Sequence, residues 1–307
     1  MKTESPQNTP VCPFCFSQRY KSSYLPDTFF NQKTFKYLKC TDCKLHYVFP
    51  FPNAADFEVI YPASYQSGVN WEICKDPYTK ISGIRFSYGE QFDLIKKYAP
   101  GKKILDYGCG AANFLVNARH SGFQCDGAEY NPDHIAILKK EIPESKFYTI
   151  DDVLSGNTEK YDVIRLSNVL EHLTAPREIT EKLIATLNPG GILLVEGPIE
   201  TNHTFALRIR QIYFNISKAV RKNRLVSHPP THIFFANSKN QRKFFTNYPL
   251  EELFFQLDES EWPFPENMAE AKGPGGFLKF LIARFSMLIR PLSKNWGNTF
   301  IYVGKKK

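Results

Sequence analysis

No stretch of this 307-residue chain stays apolar for the roughly 20 residues that cross a bilayer. The opening residues, MKTESPQNTP, are polar and lead into no apolar core of the kind a secretory signal needs. The expectation from both absences is a cytoplasmic protein. Acidic residues are missing from residues 205–227, FALRIRQIYFNISKAVRKNRLVS, which carry six Lys or Arg. With a formal net charge of +8, that stretch invites an anionic partner: nucleic acid, anionic lipid or a nucleotide-linked substrate. A solvated basic face is the plain alternative. Of seven cysteines, Cys74, Cys109 and Cys125 stand alone, as in a reducing compartment. The other four are paired.

Cys12 and Cys15 form one C-x-x-C turn, and Cys40 and Cys43 form a second after 24 intervening residues. Each turn aims two sulfurs at one point, which suits tetrahedral thiolate coordination of Zn2+. The segment between them alternates aromatic and polar residues around a central turn, like a β-hairpin. A module of about 40 residues has too little core to fold without such a staple. Four cysteines leave no open coordination position, so the metal would be structural.

Beyond it, PFPNAADFEVIYPASYQSG reads as a linker, and a helix is expected over residues 82–98, ended by APGKK. From Lys103 onward strands and helices alternate. Ile104 and Leu105 open a first strand, and Phe114, Leu115 and Ala118 mark a helical face that ends at Gly122. A second strand spans about 124–130. Asn131 caps the next helix, with Pro132 in its first turn and Ile135, Leu138 and Ile142 at core spacing. Further strands fall at 147–150, 161–166 and 192–196, with a helix through Ile179, Leu183 and Leu187 before the last of these. This alternation means a doubly wound, parallel α/β sheet whose ligand sits at the C-terminal ends of the strands.

The turn after the first strand identifies the kind of ligand. Gly108 and Gly110 begin a dinucleotide fingerprint, but Asn113 fills the position of its third glycine. Asp106 stands two residues before Gly108, where a carboxylate would repel a pyrophosphate. A ligand with no phosphate, carrying a sulfonium and an ammonium, suits that acid; S-adenosylmethionine is one. Glu129, 23 residues after Asp106, ends the second strand where an acid accepts both ribose hydroxyls. Asp151 and Asp152, after the third strand, are placed to accept from an adenine amino group.

These motifs resemble the class I S-adenosylmethionine-dependent methyltransferases, specifically those with an N-terminal zinc ribbon. ILDYGCGAANF resembles the family's D-x-G-x-G-x-G turn, with Ala112 in place of its last glycine. DGAEYNP is similar to the ribose-binding strand, which places Tyr130 beside Glu129 at the cofactor. YDVIRLSNVLEHLTAPREI resembles the fourth strand and its exit, and CTDCKLHYVFPFP the ribbon's exit, with Lys44 where glycine is usual. The resemblance implies a seven-stranded, mostly parallel, Rossmann-like sheet with an antiparallel last strand, residues 251–260 and 299–306 supplying the final two strands. It also implies that Ser167 and Asn168, with Glu171 and His172 nearby, sit beside the methionine part of the cofactor. The expected organisation is a zinc ribbon at 1–52, a linker and helix at 53–100, and the methyltransferase domain at 101–307. Within that domain, 197–237 would be an acceptor-side insertion.

Members with such a ribbon resemble methyltransferases of sugars and polysaccharide precursors, so a small, nucleotide-linked or lipid-linked sugar is the expected acceptor. His228 or His232, in HPPTHIFF, with His203 in reserve, is the expected general base or acceptor-orienting residue. Two other readings stand beside this one: an RNA methyltransferase gripping backbone through the ribbon and basic segment, and a non-catalytic zinc-ribbon binding protein. In FLKFLIARFSMLIR, residues 277–290, Phe277, Leu278, Leu281, Ile282, Phe285, Leu288 and Ile289 share one helical face. Packing of that face on the sheet is expected, with peripheral attachment to an anionic membrane as the alternative.

Overall fold

A computed structural model describes residues 9–62, 68–81, 85–220, 225–260 and 264–307. Strands β1 (Tyr20–Ser22), β2 (Thr28–Phe30), β3 (Lys33–Cys40) and β4 (His46–Phe49) come first, followed by helices α1 (Ala54–Ile60) and α2 (Tyr88–Tyr98). Then alternate β5 (Lys103–Tyr107), α3 (Asn113–His120), β6 (Gln124–Glu129), α4 (Pro132–Glu141), β7 (Phe147–Thr149), α5 (Ile150–Leu154), β8 (Tyr161–Ser167), α6 (Pro176–Thr186) and β9 (Leu187–Pro198). The last elements are α7 (Phe205–Val220), β10 (Val226–Ser227), β11 (Phe234–Phe235), α8 (Ser238–Phe245), β12 (Leu250–Asp258), α9 (Gly273–Ile289) and β13 (Thr299–Lys306).

Local chemistry sets the helix starts. The Ser87 hydroxyl accepts from the Glu90 amide while the Glu90 carboxylate accepts from the Ser87 amide, a reciprocal cap that begins α2 at Tyr88. The expected start at 82 lies outside the described residues. Asn53 and Asp56 exchange the same pair of bonds, so a short helix α1 stands inside the segment expected to be linker. Asn131 caps α4, with Pro132 in its first turn, as the sequence suggests.

The molecule divides into two compact units. One comprises Phe57–Gly197, Phe245–Gln256 and Ile301–Lys307. Its sheet runs β12-β13-β9-β8-β5-β6-β7, and β5 pairs in parallel with both β6 and β8, β6 with β7, and β8 with β9. Its core takes Ile104, Leu115, Ala118, Leu138, Val163 and Leu194 from the strands and the helical faces read from sequence. The parallel ladder brings the ends of β5, β6 and β8 to one edge of the sheet, where a ligand belongs.

The other unit comprises Met1–Asp56, Pro198–Phe244 and Leu257–Phe300. Its sheet runs β10-β2-β3-β4-β11, with β1 also on β3. These units differ from the expected boundaries: Pro198–Phe244 falls with the N-terminal sheet, where β10 joins β2 and β11 joins β4. The reason is core size. Phe14 packs on Phe234 and Phe244 at ring distances of 4.6 and 4.5 Å, so the cysteine module buries its aromatics against the later segment. Lys44, where the family resemblance has glycine, has a φ of 66°, the left-handed turn that glycine adopts without cost.

Candidate functional site

β5 ends at Tyr107 and the chain turns through Gly108 (φ 78°) and Gly110 (φ 50°) into α3. A Cβ on Gly108 would lie 2.6 Å from a Val169 methyl, so only glycine lets the two loops meet. Ala112, at the position of the missing glycine, has a φ of 58° and so adopts the conformation glycine would supply. The turn is fixed from two sides. The Gly110 N–H donates to Glu129 Oε2 at 2.9 Å, and the His134 ring bonds the Gly110 carbonyl at 2.9 Å. The Tyr130 N–H donates to the other Glu129 oxygen at 2.7 Å. Both carboxylate oxygens are thus aimed, and each keeps a lone pair for a further donor.

These groups border a cavity of about 310 Å³ lined by Gly108, Glu129, Tyr130 and Asn168, with Phe57, Tyr61, Ile150, Val169, His172 and Leu173. Its lining is mainly apolar and aromatic, with a few converging polar groups, the usual character of a small-molecule site. Asn168 reaches it through a left-handed turn (φ 51°) at the end of β8. The Tyr61 hydroxyl and His172 Nδ1 are 2.9 Å apart at the cavity. Sequence reasoning set His172 beside the cofactor but assigned the base to other histidines. The signal for Tyr61 was weak, since it stands in the segment read as linker.

Asp106 is buried, absent from the cavity lining, and bound through Oδ1 to Arg165 Nη1 at 2.7 Å, while its Oδ2 has no hydrogen-bond partner among the described residues. Arg165, in the middle of β8, also donates to Gln91 Oε1 at 2.7 Å, stands 3.9 Å from Glu196, and lies over the Phe114 ring at 3.9 Å. Ser167, expected at the cofactor, donates its hydroxyl to Glu196. One buried cation therefore answers two buried carboxylates. Burial pushes the Glu196 carboxyl up to about 7, against the pull of Arg165, and raises Asp106 as well.

Asp152, expected to accept from adenine, caps a helix. Its carboxylate accepts from the Thr149 amide and hydroxyl at the start of α5, and those bonds hold it below its ordinary range. Asp151 is exposed on the same helix, and Ile150 is the residue of this turn that lines the cavity.

The three histidines expected to be catalytic all belong to the other unit. His203 and His228 are exposed, and His228 bonds the Pro229 carbonyl. His232 Nδ1 lies 2.7 Å from Glu200, which Arg210 also contacts at 3.3 Å. Burial raises the Glu200 carboxyl, and those two neighbours more than reverse it, leaving it below its ordinary range.

In that unit the sulfurs of Cys12, Cys15, Cys40 and Cys43 lie within 4.8 Å of one another, with Cys12–Cys43 at 3.5 Å and Cys15–Cys40 at 3.6 Å. Zn–S bonds of about 2.3 Å in a tetrahedron set sulfurs about 3.8 Å apart, so the donor set fits one zinc ion. The cluster is compatible with a zinc ribbon.

Residues 85–251, more than half of the chain, match the methyltransferase domain family. The chain belongs to that family, the class I S-adenosylmethionine-dependent methyltransferases. It is 29% identical over 131 residues to a ubiquinone biosynthesis O-methyltransferase of Actinobacillus pleuropneumoniae serotype 7 (strain AP76), covering 38% of this chain and 56% of that protein. It is 26% identical over 122 residues to the protein of the same name from Coxiella burnetii (strain RSA 493 / Nine Mile phase I), covering 38% and 50%. The chain spans about half the length of these curated relatives. Their names specify ubiquinone biosynthesis, where the sequence reading expected sugar and polysaccharide-precursor enzymes. Among solved structures, a SAM-dependent methyltransferase from Archaeoglobus fulgidus aligns with a TM-score of 0.45 and 15% identity, over 71% of this chain and 92% of that one.

Proposed function

We propose that this protein methylates a hydroxyl oxygen of a small, ring-containing organic acceptor. The observation that carries the reading is the cavity, where a ribose-type acid, a glycine turn and an imidazole converge at the strand ends of one sheet. S-adenosylmethionine, when bound, supplies an electrophilic methyl group on a sulfonium centre. Glu129 accepts the two ribose hydroxyls, Gly108 leaves room for the nucleoside, and Asn168 borders the amino-acid part. Asp106 and Ser167 act at one remove, as part of the buried Arg165 network under the turn.

A hydroxyl must lose its proton as the methyl arrives, and His172 is placed to take it, oriented by Tyr61. Phe57, Tyr61, Val169 and Leu173 favour an apolar ring over a sugar, whose hydroxyls would need a ring of polar partners. A sugar or polysaccharide precursor, and RNA, are the competing acceptors. The test offers hydroxylated aromatic rings, sugar nucleotides and short RNA with a labelled methyl donor. Transfer to ring hydroxyls alone is expected; transfer only to a sugar nucleotide or RNA overturns the acceptor reading. His172→Gln and His172→Ala are expected to lower turnover by on the order of 10²–10⁴, with binding of S-adenosylhomocysteine unchanged. Full turnover in both variants removes His172 from the chemistry.

Cys12, Cys15, Cys40 and Cys43 would hold one structural zinc ion. Protein purified without added zinc is expected to carry about one equivalent per chain. Chelation should release it together with the folded signal of the N-terminal sheet. Four reactive thiols in a metal-free, fully folded protein would refute this assignment.

A further inference from the structure

Helix α9 is packed inside out. Its apolar stripe was expected to face a core, yet Phe277, Leu278, Leu281, Phe285 and Leu288 are all exposed, Leu288 at 76%. At 100° per residue these side chains share about 100° of arc. The face turned inward holds Ala283 and Ser286 instead. Ser286 bonds Glu259 and accepts the Ala206 N–H at 3.1 Å. Polar bonds fix the orientation, so the outward direction of the stripe is specified by the sequence.

Helix α7 repeats the pattern. Ile212, Tyr213, Ile216 and Val220 lie along one side at helical spacing and are exposed, Ile216 at 59%, while Ala206 and Leu207 are buried. The two helices pack on each other, with the Phe205 and Phe285 rings 4.9 Å apart. Soluble proteins rarely leave contiguous apolar surface of this extent without a partner. The two helices themselves carry cations and no acidic side chain, and Glu266 and Glu270 precede α9 in the sequence. Residues 205–227 contain no carboxylate, and residues 271–307 contain none either. Arg208 on α7, Lys279 on α9, and Lys272 and Lys294 beyond the ends of α9 are exposed.

We infer that the outer faces of α7 and α9 dock on an anionic phospholipid bilayer. A helix with an apolar stripe and cationic flanks lies in the headgroup plane, its apolar side chains entering the acyl boundary and its lysines and arginines meeting lipid phosphates. A bilayer satisfies both features at once, because it is apolar below and uniformly negative above. A second copy of this chain matches only the first, since its own stripes are flanked by cations and would repel. No helix among the described residues is long and apolar enough to cross a membrane, so the contact is peripheral. The inference concerns one unit and does not rest on the methyl-transfer reading.

The test is flotation of the full-length protein with vesicles of phosphatidylglycerol and phosphatidylcholine, against pure phosphatidylcholine, at low and high salt. At least tenfold stronger binding to the anionic vesicles is expected, weakened by salt. Leu281→Glu with Leu288→Glu should abolish it, and Ile212→Glu with Ile216→Glu should weaken it severalfold. Circular dichroism and thermal unfolding of both variants should match the parent, because these side chains are exposed. Absence of binding to anionic vesicles overturns the inference, as does binding that either folded variant retains in full. A dimer in sedimentation equilibrium that the same substitutions dissolve assigns the surface to a second copy, and also overturns it.

Discussion

Arg165→Met should be the most destabilising single substitution in the seven-stranded unit. The guanidinium is buried and meets Asp106, Gln91, Glu196 and the Phe114 ring. Removing it leaves two carboxylates in the core with no counter-charge, a loss on the order of 3–5 kcal/mol. In a unit of this size that corresponds to a drop of about 10 °C or more in melting temperature. Calorimetry on the parent and variant checks it. A variant within a degree or two of the parent would mean that the network is dispensable.

The same network predicts a pH dependence. Glu196 in the folded state titrates near 7, above the ordinary 4.5 of a glutamate. Between those values the folded protein holds a proton that the unfolded chain has released, so this group's contribution to stability falls as pH rises from 4.5 through 7. The contribution is on the order of 3 kcal/mol, complete below pH 4.5 and gone above 8. Glu196→Gln should remove it. The difference in stability between parent and variant should then swing toward the variant as pH increases. Glu200, held low by His232 and Arg210, works in the opposite sense, losing its stabilising effect as pH falls. Only the parent-minus-variant difference isolates Glu196. A difference that is flat with pH would place its ionisation at the ordinary value.

The parallel sheet was legible because each βα step is local: apolar strand, turn, and helical face lie within some 30 residues. That Glu129 and Gly108 stand at strand ends was legible for the same reason, whereas Asn168 was expected at the cavity only from the family resemblance. The ion pair of Asp106 was not legible because its partner, Arg165, is 59 residues away. The signal was present in YDVIRL, where a cation in the middle of an apolar strand demands a buried anion. The reach of the N-terminal unit was not legible. Two-residue strands such as β10 and β11 carry no periodicity, and their pairing with β2 and β4 is set by packing across nearly 200 residues. For α9 the stripe was evident but its direction was not. Periodicity reports that apolar residues share a face, and only the Ser286 and Ala283 contacts tell which way that face turns.

Glu129→Ala should cost on the order of 2–4 kcal/mol in S-adenosylhomocysteine binding, a loss of about 30- to 1,000-fold. Two effects combine. The carboxylate would give up both charge-assisted bonds to the ribose, and the Gly110 N–H would lose the acceptor that holds the turn at 2.9 Å. Glu129→Gln separates them: its amide oxygen can still accept from Gly110, so it should bind better than the alanine variant and worse than the parent. Gly108→Val should be at least as damaging. Even a single Cβ there would come within 2.6 Å of Val169, and the residue's φ of 78° is strained for a β-branched side chain. Asp106→Asn is the contrast. Because Asp106 is paired with Arg165 and is not among the residues lining the cavity, its replacement should lower the melting temperature and leave affinity within a few-fold of the parent. Titration calorimetry of the four variants decides the assignment. Wild-type affinity in Glu129→Ala removes that residue from the site, and a large affinity loss in Asp106→Asn without loss of stability would return the carboxylate to the ligand.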